Sequence, residues 1–240
     1  MVAFANYILA CLSIASYVSA TPLHLTKRLT RGVQTNCKAG HFALTFDDGP
    51  YKYSSKLIDH LNERGIKATF FVNGNNFWDL DNNIQAQNAI KKAYHSGHQI
   101  ASHTWSHANL DELSNQHVED EVVRLEDALM RIIGVRPSFV RPPYGNSDDR
   151  VTNILNHLGY TVVNWSVDSK DYETHSLSDE MHNYHRELGS SSGSKGGIGL
   201  EHDVYKQTAE ELADAIIDYA RERGYKFSTV AECFNEAPYH

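Results

Sequence analysis

Two adjacent carboxylates, Asp47 and Asp48, follow an apolar run and precede Gly49-Pro50. The run, residues 41–46, predicts a buried strand, and Gly-Pro predicts a turn directly after the carboxylates. At such a strand end one carboxylate can ligate a metal while its neighbour moves a proton, as metal-assisted hydrolysis requires. A solvated turn has the same residues, so the interpretation depends on the rest of the chain.

Two histidines, His103 and His107, stand four residues apart after another predicted strand. On a helix or in a tight turn this spacing puts both imidazoles on one side. With Asp48 they form a set of two histidines and one carboxylate, which leaves a coordination position open for water. Catalytic zinc keeps such a position, and non-haem iron uses the same set. Nothing in the sequence suggests an oxygenase co-substrate site, so Zn²⁺ is preferred, with Co²⁺ as the alternative.

Apolar periodicity predicts an alternation of strands and helices. The predicted strands cover residues 41–46, 67–72, 98–102, 138–140, 161–167, 197–200 and 226–230. The predicted helices cover residues 54–65, 83–95, 114–133, 147–158, 176–188 and 208–223. About seven β-α units imply a parallel sheet. We therefore expect an α/β fold, a single-domain distorted (β/α) barrel of about seven parallel strands.

Reactive side chains follow five of the predicted strands, in segments 47–48, 103–107, 141–145, 168–172 and 200–203. The carboxyl ends of parallel strands gather on one face of a barrel, where barrel active sites lie. We therefore expect these segments to meet in one site.

Composition is that of an ordinary globular domain, with 41% hydrophobic and 22% charged residues among 240. The formal net charge is −8, and there is no basic cluster beyond Lys27, Arg28 and Arg31. This pattern argues against nucleic acid as a partner. We expect a monomer.

Residues 1–20 carry no charged side chain and end in Val18-Ser19-Ala20, which predicts a secretory signal peptide. The apolar run is too short and too broken for a membrane anchor. A secreted, extracellular protein is therefore expected. Residues 21–36 are interpreted as a pro-segment or flexible arm, in which Lys27-Arg28 is either a dibasic processing site or uncut.

Of the three cysteines, Cys11 leaves with the predicted signal peptide. Cys37 and Cys233 remain, and in an oxidising compartment they are expected to pair. Two free thiols are the alternative.

Five segments in order resemble the motifs of the polysaccharide deacetylase family, the family-four carbohydrate esterases. They are Thr45-Phe46-Asp47-Asp48-Gly49-Pro50, His103-Thr104-Trp105-Ser106-His107, Arg141-Pro142-Pro143-Tyr144-Gly145, Asp168-Ser169-Lys170-Asp171-Tyr172 and Leu200-Glu201-His202-Asp203. The resemblance covers about residues 38–232 and is strongest to secreted fungal chitin deacetylases. It implies a catalytic domain over residues 37–234 and a C-terminal tail over residues 235–240.

The resemblance also implies roles for these residues. Asp48, His103 and His107 would hold the metal, and Asp47 would be the general base that deprotonates the metal-bound water. Arg141 would position Asp47 and lower its pKa.

On the opposite side, His202 would be the general acid that protonates the leaving amine. Asp171, or else Asp168, would orient His202 and keep it charged. The backbone N–H of Tyr144 would help to stabilise the oxyanion.

Substrate would contact Leu200 together with aromatic side chains. Tyr172 stands where the family usually has Trp, which suggests a different pocket wall. Four other aromatic residues could belong to the core or stack against sugar rings: Trp105, Trp78, Tyr51 and Tyr53. Among these, Trp105 is expected to contact substrate.

The expected reaction is hydrolytic N-deacetylation of chitin or chitooligosaccharides, which releases acetate and leaves glucosamine units. An O-acetyl xylan esterase or a peptidoglycan deacetylase would use the same site residues. A non-catalytic chitin-binding protein is the alternative of another class.

Overall fold

The computed structural model describes residue 1 and residues 32–189 and 195–240. The predicted signal peptide beyond Met1 and residues 21–31 of the predicted arm lie outside the described residues. Within the described ranges, no helix is both long and apolar enough to cross a membrane.

In the described ranges, nine short strands form one parallel sheet. They are β1 His41–Ala43, β2 Thr45–Asp47, β3 Thr69–Val72, β4 Gln99–Ser102, β5 Phe139–Val140, β6 Thr161–Val162, β7 Val167–Asp168, β8 Gly197–His202 and β9 Lys226–Phe227. The predicted strand 41–46 is split at Leu44, and the predicted strand 161–167 is interrupted between β6 and β7.

Helices alternate with these strands. They are α1 Ser54–Glu63, α2 Ile84–His95, α3 Asn115–Ile133, α4 Asp149–His157, α5 Asp171–Thr174, α6 Leu177–Glu187, α7 Ala213–Glu222 and α8 Val230–Phe234. A π-helical turn, Thr208–Leu212, opens the predicted helix 208–223, which continues as α7. Two short helices, α5 and α8, were not predicted.

The strands curve into a ring. Their order is β6-β5-β4-β3-β2-β8-β1-β9, and β7 also pairs with β8. The segment from Thr161 to Asp168 therefore leaves β5 and joins β8, and the hydrogen bonding of the ring is interrupted between β6 and β7. The prediction of a parallel α/β fold in one domain is confirmed, as a distorted ring without complete strand-to-strand closure.

The interior of the ring is a buried cluster that takes side chains from five strands. Its strand residues are Ala43, Phe71, Ala101, Phe139 and Ile198, joined by Val163. Their chain neighbours Phe42, Phe70 and Ile100 face the other way and pack in a larger cluster with the helices. This alternation is the two-residue period of a strand. We call the first group the inner cluster.

Helix α8 closes the base of the inner cluster. Val230 and Ala231 belong to the cluster. Their backbone N–H groups donate to Thr69 Oγ1 at 2.9 Å and to Gln99 Oε1 at 2.8 Å. Thr69 and Gln99 begin β3 and β4, so α8 lies at the end of the ring opposite the strand ends that carry the motifs.

The predicted disulfide between Cys37 and Cys233 is present, and both residues pack in the inner cluster. It therefore ties the segment before β1 to α8, at the same end of the ring.

The predicted last strand, residues 226–230, is wrong at its carboxyl end, because Val230 begins α8. Thr229 and Glu232 form a capping box: Thr229 Oγ1 accepts from the Glu232 N–H at 3.3 Å, and Glu232 Oε2 accepts from the Thr229 N–H at 2.8 Å. This Thr-x-x-Glu pattern is a helix-start signal in the sequence.

Both predicted flanks of the domain contact it where they are described. Gln34, in the predicted arm, donates its N–H to Val162 O at 2.9 Å and accepts from the Asn164 N–H at 2.8 Å. Tyr239, in the predicted tail, accepts from the Ile100 N–H at 3.0 Å through its hydroxyl oxygen. The packed unit therefore extends beyond residues 37–234 on both sides.

Candidate active site

A cavity of about 310 Å³ lies at the carboxyl ends of the strands. Its lining residues are Asp47, Asp48, His103, His107, Tyr144, Trp165, Tyr172, Leu200, His202 and Tyr205. Asp47 and His202 are the last residues of β2 and β8, and His103 directly follows β4. The structure thus brings together residues from all the motifs that the sequence singled out.

Asp48, His103 and His107 form a group whose ligand atoms all lie within 4.8 Å of one another. The Asp48 Oδ1 atom is 3.2 Å from His107 Nε2 and 3.6 Å from His103 Nε2. A carboxylate and two imidazoles converging in this way can hold one transition-metal ion.

The donor atoms fit a cation. Asp48 Oδ1 is buried and accepts no hydrogen bond from the described residues. His103 donates from Nδ1 to the Arg141 carbonyl at 2.7 Å, which leaves the Nε2 lone pair facing Asp48. Burial lowers the pKa of His103 to about 3, so that the imidazole is neutral, as a ligand must be.

The metal group, by which we mean Asp48, His103 and His107, lies in a segment pair whose backbone is strained. Asp48, Thr104 and His107 have φ angles of 73°, 71° and 59°, in the left-handed region that residues other than glycine seldom occupy. His103 and His107 therefore meet through a turn and not along a helix. Surrounding contacts must hold this conformation.

Asn73, which follows β3, supplies such contacts and was missed from the sequence. Its side-chain amide donates to the His103 and Thr104 carbonyls, the latter at 3.1 Å. Its backbone N–H donates to the Gly49 carbonyl at 2.9 Å. The side chain is 1% exposed. Asn73 therefore joins the turn that carries Asp48 to the loop that carries the histidines.

Asp47 forms a buried ion pair with Arg141. The distance from the Arg141 guanidinium to Asp47 Oδ1 is 2.7 Å, and the side-chain exposures are 0% and 2%. The guanidinium also donates to Thr45 Oγ1 at 2.7 Å and lies over the Phe71 ring at 4.1 Å from its centroid. Burial raises the pKa of the Asp47 carboxyl, and Arg141 opposes the rise. The expected lowering by Arg141 is therefore outweighed by desolvation.

His202, the neighbour of Asp47 in the pairing of β2 and β8, also lines the cavity and is paired with Asp171, which begins α5. Asp171 Oδ1 is 2.7 Å from His202 Nδ1, and Asp171 Oδ2 accepts the His202 backbone N–H at 2.8 Å. Thr208 donates to the same Oδ2 at 2.7 Å. Burial lowers the pKa of His202, but the Asp171 carboxylate more than offsets this and raises it to about 9.

Asp168, the alternative partner of His202, forms hydrogen bonds with other groups. Its carboxylate accepts the Lys170 N–H at 2.9 Å and the Tyr172 hydroxyl at 3.2 Å.

The cavity walls are mainly aromatic. Tyr172 packs edge-on against His202 with ring centroids 5.4 Å apart, and Tyr144 packs edge-on against His107 at 4.7 Å. Leu200 is 3% exposed and lies at the floor. Trp165 also lines the cavity, although the sequence placed it inside a continuous strand. The interruption between β6 and β7 is what lets Trp165 face the site.

Trp105, which was expected to contact substrate, does not line the cavity. It is 4% exposed and belongs to the cluster that packs with the helices. The Arg124 guanidinium covers its ring at 3.8 Å from the centroid. On the other side it meets Gly74, where a Cβ atom would lie 2.0 Å from the indole. The structure places Trp105 in the core.

We expect Asn73→Ala to weaken the binding of a divalent transition-metal ion about 10- to 100-fold, the range for residues that orient metal ligands. Removing the amide frees the loop between the two histidines from the turn of Asp48. Chelator competition on the purified protein measures the affinity. Asn75→Ala is the matched control, because Asn75 is exposed and no hydrogen bond of its side chain joins these segments. Wild-type metal affinity in Asn73→Ala would show that the Asn73 side chain is not needed to hold the metal ligands in place.

We expect Asp171→Asn to lower the pKa of His202 well below 9, because burial then acts without the compensating carboxylate. NMR titration of the His202 ring measures it, and Asp168→Asn, which touches Tyr172 instead, is the control. An unchanged pKa of His202 in Asp171→Asn would contradict the assignment of Asp171 as the residue that keeps His202 charged.

The raised pKa of His202 also links the stability of the fold to pH. The pair of His202 and Asp171 stabilises the fold fully below about pH 6.5 and loses this contribution as the pH rises through about 9.

Comparison with known proteins gives one consistent result. The family model described as polysaccharide deacetylase matches residues 34–163. The chain is 36% identical over 205 residues to a chitin deacetylase of Colletotrichum lindemuthianum, covering 83% of this chain and 81% of that one. It is 38% identical over 196 residues to a chitin deacetylase of Pestalotiopsis sp, covering 82% of this chain and 64% of that one.

A solved structure of the chitin deacetylase from Colletotrichum lindemuthianum superposes with a TM-score of 0.84 at 34% identity, over 87% of this chain and 95% of that one. The family model spans the first three motif segments, and both the sequence match and the structural match cover more than four fifths of this chain. This chain belongs to the polysaccharide deacetylase family.

Proposed function

We propose that this chain is a secreted, zinc-dependent deacetylase that hydrolyses the acetamide groups of chitin or chitooligosaccharides. The observation that carries the proposal is that one cavity joins the metal group of Asp48, His103 and His107 to a carboxylate and a charged imidazole. Asp47 and His202 line the same cavity, and we assign them as base and acid. The similarity to fungal chitin deacetylases supports an amide of N-acetylglucosamine as the substrate.

Asp48, His103 and His107 would hold the metal. A divalent cation there supplies Lewis-acid polarisation of a carbonyl and a water of lowered pKa. Zn²⁺ suits two imidazoles and one carboxylate with an open position, and Co²⁺ could replace it.

Asp47 is the general base. Its carboxylate accepts a proton from the water as the water oxygen adds to the acetyl carbon. The raised pKa of the buried Asp47 carboxyl makes it a stronger base than an exposed aspartate, and Arg141 fixes the carboxylate in place. Arg141 is thus a positioning residue for Asp47.

His202 is the general acid. An amine leaves readily only when protonated, so a proton donor must stand near the amide nitrogen. With a pKa of about 9, His202 carries its proton at neutral pH. Because Nδ1 is held by Asp171, Nε2 delivers the proton to the nitrogen as the C–N bond breaks. The products are acetate and a free amine.

The remaining residues bind the acetyl group and the sugar. The Tyr144 backbone N–H is assigned to the oxyanion. Leu200 and Trp165 form the apolar surface for the acetyl methyl. Tyr172 forms the outer wall, where its hydroxyl is held by Asp168.

Secretion is proposed from residues 1–20, read as a signal peptide, with support from the disulfide, which persists in oxidising compartments. The catalytic domain is proposed to span residues 37–234, with Gln34 and Tyr239 of its flanks packed against it, and the protein is proposed to act as a monomer.

Acetate release tests the function directly. We expect release from N-acetylglucosamine oligomers that is abolished by a chelator and restored by zinc, and little release from acetylated xylan or peptidoglycan. Cobalt add-back in parallel identifies the ions that support turnover.

The other results of this assay are equally informative. Acetate release only from xylan, or only from peptidoglycan, would change the proposed substrate and leave the proposed site chemistry unchanged. No release from any of the three by folded, zinc-loaded protein would favour a non-catalytic chitin-binding protein.

His202→Ala should reduce hydrolysis of amide substrates about 10²- to 10⁴-fold, the usual contribution of a general acid. Activated acetate esters should lose much less, because their leaving groups need no proton. Kinetics on both substrates measures this difference. Asp47→Asn is the companion variant, since the loss of the base should slow both reactions. Equal losses in His202→Ala on amide and ester would refute its role as the acid.

A further inference from the structure

A second cavity, of about 410 Å³, lies between α1 and α2. Its lining residues are Tyr51, Lys52, Ser55, Trp78, Gln85, Asn88, Ala89 and Lys92. We call it the α1–α2 cleft. It shares no lining residue with the catalytic cavity.

One wall of the α1–α2 cleft is aromatic. Tyr51 and Trp78 have ring centroids 5.2 Å apart, and the ring of Phe77, which is not a lining residue, has its centroid 5.2 Å from that of Tyr51. Phe77 is 44% exposed, and Tyr51 and Trp78 are half-buried. Partly exposed rings of this kind, beside a few polar groups, are typical of ligand-binding surfaces.

The opposite wall is polar and unpaired. Gln85 and Asn88 lie three residues apart on α2, on one helix face, and both are exposed. Neither side-chain amide makes a hydrogen bond to another described residue. An amide both donates and accepts, which matches the hydroxyl and acetamido groups of a sugar chain.

The lining of the α1–α2 cleft contains two lysines and no carboxylate, although the whole chain has a formal net charge of −8. Lys52 lies over the Tyr53 and Tyr51 rings, and Lys92 is balanced by Asp59 at 2.5 Å. No carboxylate lines the cleft. The cleft therefore offers no anion to pair with the ammonium groups of a deacetylated segment, and a neutral, acetylated segment is favoured.

The α1–α2 cleft is fixed next to the catalytic site. Tyr51 follows Asp48 by three residues, so their Cα atoms are at most about 11 Å apart. The Tyr51 N–H donates to Ser54 Oγ at 2.7 Å, and the Ser54 hydroxyl donates to Asp203, the residue after His202. One polysaccharide chain of several sugars can reach both places.

We propose that the α1–α2 cleft is a second carbohydrate-binding site that takes a still-acetylated segment of the same polysaccharide whose acetamide is cleaved in the catalytic cavity. This rests on the proposed function. The second site favours long, highly acetylated chains over short or already deacetylated ones.

Steady-state kinetics on N-acetylglucosamine dimer and hexamer tests the site. We expect Gln85→Ala/Asn88→Ala to raise KM for the hexamer about tenfold, the loss expected for two hydrogen bonds to a neutral ligand, with unchanged kcat. Both constants for the dimer should stay at wild-type values. Gln116→Ala/Asn153→Ala, on exposed faces of α3 and α4, is the matched control. Trp78→Ala should also raise KM for the hexamer.

Binding separates this proposal from the proposed function. In an Asp47→Asn background, where turnover is suppressed, Gln85→Ala/Asn88→Ala should weaken binding of the acetylated hexamer about tenfold and leave binding of the dimer unchanged. Such binding without acetate release from wild-type protein would support the α1–α2 cleft and overturn the function. Unchanged hexamer KM and unchanged hexamer binding in both Gln85→Ala/Asn88→Ala and Trp78→Ala would overturn the second site.

Discussion

The buried ion pair between Arg141 and Asp47 constrains how the strands and side chains around it can pack. Removing two charges from water costs several kcal/mol for each ion, so the pair persists only with good geometry and further hydrogen bonds. Thr45 accepts from the guanidinium, and Phe71 packs against its face. Phe71 is also part of the inner cluster. The charged pair therefore lies directly on the apolar interior, and the curvature of the sheet is what brings β2 and β5 close enough to form it.

The proposed acid and base are placed by a single strand pairing. Asp47 and His202 are Cα partners in the parallel register of β2 and β8, and neighbouring strands lie about 4.8 Å apart. Their environments nevertheless differ. Asp47 is opposed by a cation and His202 is supported by an anion, Asp171. In the proposed mechanism, the opposite proton-transfer roles of these two residues follow from the oppositely charged partners, Arg141 and Asp171.

The sequence was sufficient to predict that the motif residues lie close together. The carboxyl ends of parallel strands lie on one face of the sheet, and the reactive residues Asp47, His103 and His202 stand at those ends. The sequence was insufficient where tertiary contacts decide whether a side chain lies in the core or in the cavity. Trp105 and Trp165 look alike in the sequence, but a glycine and an arginine enclose Trp105, while a break in strand pairing exposes Trp165. Asn73 acts through carbonyls of a distant loop, which no local pattern indicates.

Helix α8 is the last helix of the chain, yet its residues fill the base of the inner cluster and bond to the starts of β3 and β4. A nascent chain whose α8 is still inside the ribosome therefore has an interior open to water at that end. The domain cannot complete its fold from the amino terminus onward as each strand emerges. Protein quality control would meet a nearly finished chain with exposed apolar surface, and shortening the chain before α8 would leave it in that state permanently.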